Sequence, residues 1–114
     1  MHELSIATSI LEIARRQARE AGAARINSVE VAIGRLAGVE LEALRFCFAA
    51  ARGEDQLTVE TELVVRDIPG RGHCPTCGAE PELEVPLGTC PECGTPGLEI
   101  VAGRELTVRS LNVD

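Results

Sequence analysis

The chain has 114 residues, is 45% apolar and carries a net charge of −7, and all 11 of its basic residues are arginine. That length holds one ordinary domain, or one small domain with a stapled module. The absence of lysine excludes a Walker-type phosphate loop and Schiff-base chemistry. Charged residues punctuate the first twenty positions, and no apolar run reaches membrane length, so neither a signal peptide nor a membrane span is expected. With cysteines at metal spacing, a reducing cytoplasm is the expected location.

The chain opens Met1-His2-Glu3. A histidine in second place can bind one metal through its imidazole Nδ1 and its own backbone nitrogen. The terminal amine or the Glu3 amide adds a further ring, and nitrogen-rich, near-planar chelation suits Ni(II) or Cu(II). On spacing alone a solvated terminal histidine is the favoured reading, and Glu3 fits a helix N-terminus for its charge alone.

An amphipathic helix is predicted over residues 4–21, with Ala7, Ile10, Leu11, Ala14, Ala18 and Ala21 on one stripe and Gly22 as its stop. Residues 26–33 alternate through Val29, Val31 and Ile33, a half-buried strand. Residues 39–52 return to helical period on Leu41, Leu44, Phe48 and Ala51, ended by Gly53. Cys47 lies in this helix and reads as packing. Residues 57–66 alternate again, and Pro69-Gly70 breaks the pattern. In the last segment, 104–113, Leu106 and Val108 share one parity and Leu111 and Val113 the other. A β-bulge near Arg109-Ser110 reconciles the two.

Between these elements lie Cys74, Cys77, Cys90 and Cys93, in the pattern C-x2-C-x12-C-x2-C. Each pair offers two thiolates from one tight turn, and two facing turns close a tetrahedral site suited to structural zinc. Gly78 and Gly94 follow the second cysteine of each pair, where a knuckle needs a residue tolerant of positive φ. His73 stands beside Cys74 and is a candidate extra ligand. Residues 70–97 set Arg71 against Glu80, Glu82, Glu84 and Glu92. Nucleic-acid-binding ribbons are basic, so that partner is not expected. Four cysteines fill the zinc shell and leave no open catalytic position, so an enzyme is not expected.

The predicted fold is α+β: a small three-stranded mixed sheet packed with two helices, plus a zinc-ribbon module with two Cys-x2-Cys knuckles. Residues 1–69, completed by a C-terminal strand in 98–114, form the α/β domain; residues 70–97 form the ribbon. On the residues alone, an acidic zinc-ribbon adaptor and a rubredoxin-like iron protein stay open.

Taken together, the chain resembles the HypA/HybF family of hydrogenase maturation proteins. The carriers are Met1-His2-Glu3-Leu4-Ser5, Gly34-Arg35-Leu36, Val39-Glu40, Glu42-Ala43-Leu44-Arg45-Phe46, the two knuckles, Gly103-Arg104-Glu105-Leu106 and Ser110-Leu111-Asn112-Val113. The resemblance implies a nickel metallochaperone. It implies structural zinc on Cys74, Cys77, Cys90 and Cys93, and transported Ni(II) at His2 with nitrogens around Met1 to Glu3. The implied partners are a HypB-type GTPase, the [NiFe]-hydrogenase large subunit and, in some species, the urease maturation proteins. Monomer and homodimer both stay open. One departure is the Glu-rich loop between the knuckles, where Pro81 and Pro86 stand and many relatives have an aromatic residue.

Overall fold

Why the first helix stops where it does is visible in its last turn. The computed structural model describes residues 2–114, and α1 spans Glu3–Glu20. The Ala23 N–H reaches back to the Ala18 carbonyl at 2.9 Å and the Gly22 N–H to Arg19 at 3.0 Å, the paired bonds of a Schellman turn. The predicted stripe is the buried face at Ala7, Ile10, Leu11, Ala14 and Ala18, joined by Ile6; Ala21, also expected on it, is the exposed C-cap, because the helix closes one residue earlier.

Strand β1 (Ile26–Gly34) buries Val29, Val31 and Ile33 as predicted, and Ile26 and Ala32 besides. Helix α2 (Leu41–Ala51) starts two residues later than its periodicity indicated, because Glu40 serves as its N-cap. It buries Leu44 and Phe48.

The strand expected over 57–66 is only half strand. Residues 56–60 are turns, and β2 spans Glu62–Ile68. Local polar groups win over the alternating pattern here. The Asp55 side chain accepts from the Leu57 N–H at 2.9 Å, and the Asp55 carbonyl accepts from Thr58 and Val59. Such local bonds offer the backbone an alternative to a ladder. Thr58 and Thr61 are fully buried. Their hydroxyls donate to the Arg52 carbonyl at 2.6 Å and the Ile26 carbonyl at 2.8 Å, so neither leaves an orphaned polar group.

The first sheet has the order β2-β1-β6, with β6 spanning Leu106–Val113. Bonds from Ile26 to Leu57 and from Arg35 to Ile68 make β2 parallel to β1. Bonds from Asp114 to Arg25 and from Gly34 to Glu105 make β6 antiparallel. The sheet is mixed, as expected, because α2 supplies the crossover that a parallel pair requires. In β6, Leu106, Val108 and Leu111 are half-buried while Arg109 and Ser110 are both exposed, which is the parity switch read from the sequence; Val113 is exposed.

Strands β3 (Gly70–His73), β4 (Glu82–Leu83) and β5 (Glu99–Ala102) form a second three-stranded sheet in the order β4-β3-β5. It is antiparallel throughout, with a bulge between Arg71 and Gly72. By compactness the chain divides into two units: Met1–Val31, Val39–Arg66 and Thr107–Asp114 in the first; Ala32–Gly38 and Asp67–Leu106 in the second. The ribbon unit is thus larger than residues 70–97. The reason is pairing: β5 lies beyond the second knuckle and bonds to β3 rather than to the first sheet.

The family-like motifs Gly34-Arg35-Leu36 and Gly103-Arg104 meet inside this second unit. A Cβ on Gly34 would collide with the Gly103 carbonyl, and a Cβ on Gly103 would lie 2.6 Å from Gly70 Cα. Three backbones cross where no side chain fits, so glycine at both motifs is a packing requirement. Arg35 closes the same unit through Asp67 at 3.0 Å, Glu84 at 3.2 Å and Glu82 at 3.6 Å.

Candidate metal sites

The two knuckles are near copies of each other. The Gly78 N–H donates to the Cys74 carbonyl and the Gly94 N–H to the Cys90 carbonyl, each at 2.8 Å. Both glycines have φ of 75°, the left-handed conformation predicted for them. The first cysteine of each pair, Cys74 and Cys90, is buried, and the second, Cys77 and Cys93, is exposed. Their four sulfurs lie within 4.8 Å of one another. Two opposite edges measure 3.7 Å (Cys74 to Cys93) and 3.8 Å (Cys77 to Cys90). A tetrahedron of thiolates around an ion at about 2.3 Å has edges of about 3.8 Å. The donor set and its spacing therefore fit a four-thiolate structural metal ion.

The polar surroundings prepare the sulfurs unequally. The hydrogen bond with the Thr95 hydroxyl, 3.2 Å away, and then that with the Thr95 backbone N–H hold the Cys93 thiol down to about 6. Cys74 is also lowered, first by the Cys77 backbone N–H. Cys77 is the opposite case. The Ala79 N–H pulls it down, but desolvation and the three neighbouring sulfurs together push it up to about 12. Four thiols so close cannot all ionise without a cation among them, so this cluster calls for a metal.

His73 ends β3, one residue before Cys74. Its Nδ1 lies 3.2 Å from a Glu80 carboxylate oxygen. It is not one of the clustered metal donors among the described residues.

The amino-terminal candidates lie in the first unit. Met1 falls outside the described residues. His2 is exposed and extended (φ −82°, ψ 137°), directly ahead of α1, and its side chain makes no capping bond. The first N–H groups of a helix have no acceptor within it. The imidazole and the Glu3 amide are thus not committed to the helix. Glu3 is half-buried, and its carboxylate accepts the Glu40 N–H at 3.3 Å. Glu40 in turn accepts from the Glu42 and Ala43 N–H groups at 3.3 and 2.7 Å. The start of α1 is therefore tied to the start of α2. The sequence marks Val39-Glu40 only as a motif and gives no sign of its capping role, because Glu is not among the favoured N-caps.

A two-helix α+β unit with an exposed, uncapped histidine directly ahead of its first helix, together with a ribbon that closes four thiolates, defines a small metal-handling protein. Residues 1–113 match the family model described as hydrogenase/urease nickel incorporation, metallochaperone, hypA, and the chain belongs to that family. The hydrogenase maturation factor HypA of Chlorobaculum tepidum is 46% identical over 115 residues, covering 100% of both chains. That of Chloroflexus aggregans is 46% identical over 112 residues, covering 97% of each. The solution structure of the Ni metallochaperone HypA from Helicobacter pylori has a TM-score of 0.70 at 24% identity, covering 99% of this chain and 97% of that one. At that identity the likeness speaks for the fold. The family is one of metal carriers, not of catalysts.

Proposed function

We propose that this chain carries Ni(II) at His2 and passes it, with a HypB-type GTPase, to the large subunit of a [NiFe]-hydrogenase. The ligands are the His2 imidazole and backbone nitrogens between Met1 and Glu3. The observation that carries the reading is the state of His2: exposed, uncapped, and followed by helix amides with no acceptor. A site of this kind suits a carrier. It lies outside the buried core, so loading and release need no repacking.

Zinc on Cys74, Cys77, Cys90 and Cys93 is the resident ion in this reading. When bound it supplies folding energy to the ribbon and has no open position for chemistry. Nickel displaces protons from imidazole and amide nitrogens, so its affinity falls on acidification.

The test is calorimetric titration of the zinc-loaded chain with Ni(II), beside His2→Ala, with zinc quantified throughout. One His2-dependent nickel per chain with zinc retained supports the reading. Uptake only by displacement of zinc would return the chain to an acidic ribbon adaptor.

A further inference from the structure

The ribbon unit carries a groove of about 330 Å³ that neither metal site uses, lined by Pro86, Leu87, Gly88, Leu98, Ile100 and Arg104. Its apolar wall comes from β5 and the residue before it. Leu98 is buried and Ile100 half-buried, and they share one parity. Glu99 and Val101 have the other and face away. Its lip is apolar, formed by Pro86 and Leu87, with Leu87 39% exposed. Above Gly88 there is open space, since a Cβ built there meets nothing within 4 Å.

Arg104 is the one charged residue of the lining, and it forms no ion pair among the described residues. Of the nearby carboxylates, Glu105, next to Arg104 in sequence, accepts the Gly103 N–H at 2.7 Å, and Glu84 is held by Arg35 at 3.2 Å. An exposed apolar lip beside an unpaired guanidinium has a definite complement. Apolar side chains fill the wall, and a carboxylate takes the planar fork of the arginine.

We propose that this groove is a docking site for an extended segment of a partner protein that presents apolar side chains followed by a carboxylate. The segment lies along Leu98 and Ile100 and ends its contact at Arg104. The site does not depend on nickel binding at His2, so the two readings stand or fall separately. It gives the ribbon a recognition role beyond holding a structural ion.

The test uses the zinc-loaded full chain and two capped tetrapeptides, acetyl-Leu-Pro-Val-Glu-amide and its Gln counterpart, followed by amide chemical shifts. The Glu peptide is expected to move Leu87, Gly88, Leu98, Ile100 and Arg104 saturably, with a dissociation constant of about 1 mM, the range open to a few small contacts. The Gln peptide should bind at least about threefold more weakly. Gly88→Leu should abolish binding by filling the groove, and Arg104→Glu should abolish it by reversing the charge. A Lys-ending peptide should then bind the Arg104→Glu chain. Zinc content is measured in both variants; if Gly88→Leu loses zinc, Arg104→Glu and its charge-reversed peptide decide the matter. No saturable shift in the groove, equal binding of Glu and Gln peptides, or binding unchanged in Arg104→Glu would overturn the proposal.

Discussion

His2 and Glu3 are adjacent in sequence but hold different posts. The His2 side chain makes no capping bond, whereas Glu3 ties α1 to the α2 cap through Glu40. Their substitutions should separate accordingly. His2→Ala is expected to lower nickel affinity by at least tenfold while circular dichroism and zinc content stay unchanged. Retention of wild-type nickel affinity would contradict the proposed site. Glu3→Gln keeps an acceptor for the Glu40 N–H and should leave stability unchanged. Glu3→Ala removes it and should cost about 0.5–1.5 kcal/mol, the usual worth of such a bond, in a denaturant titration. If nickel also weakens in Glu3→Ala but not in Glu3→Gln, Glu3 acts by placing the helix start rather than by ligating.

At the scale of elements, the end of β6 is clasped to β1 by charge. Arg25 Nη2 and the Asp114 carboxylate are 2.9 Å apart, and Asn27 donates to the same side chain at 3.0 Å. The Arg25 bond, then the Asn27 bond, hold the Asp114 carboxyl below its ordinary value of 3.8. A carboxyl lowered in the folded state contributes stability above its unfolded pKa and loses it as pH falls through the folded one. The clasp should therefore hold from neutrality to about pH 4 and open below it. Hydrogen exchange at the Ala24 amide, which donates to the Asp114 carbonyl, should quicken there. Asp114→Asn should show no such step. A second prediction concerns the glycine crossing: Gly103→Ala, at φ 110° against Gly70, should destabilise the ribbon unit by about 2–3 kcal/mol in denaturant. The same elements show what a sequence can carry. The stripes of α1 and α2 were legible because burial repeats every turn, and the knuckles because four ligands and two glycines sit at fixed local spacing. Strand β3 was not, since Gly70-Arg71-Gly72-His73 has no alternation and reads as a breaker. The Asp55 to Thr61 turns were not, because their alternating apolar residues conceal side-chain bonds fixed only by tertiary neighbours such as Arg15, which donates to Thr58 at 3.2 Å. The groove at Arg104 was equally hidden, since it assembles residues from 86 to 104 that only the second sheet brings together.

At the scale of the whole molecule, the two units have very different means of support. The first buries the faces of both helices and the strand they cover, with Leu11, Leu44 and Phe48 among its inaccessible side chains. Each such side chain contributes about 1.5–3 kcal/mol on burial. The ribbon core among the described residues is Cys74, Leu83, Cys90 and Leu98, with Leu36, Ala79 and Ile100 packed against it. Two fully committed leucines give it only about 3–6 kcal/mol by the same measure. A structural zinc ion contributes about 10–16 kcal/mol in comparably small modules, so the metal outweighs the packing in the ribbon and not in the first unit. Chelation should therefore unfold one unit and spare the other. On removal of zinc, amide signals from residues 70–102 are expected to collapse into the unfolded range, while those of α1 and β1 keep their dispersion and the helical circular dichroism persists. Cys77→Ser should reproduce that split without a chelator, because three thiolates no longer close the tetrahedron. Cooperative loss of the helices in either experiment would show that the first unit leans on the metal too, and the packing argument would fail.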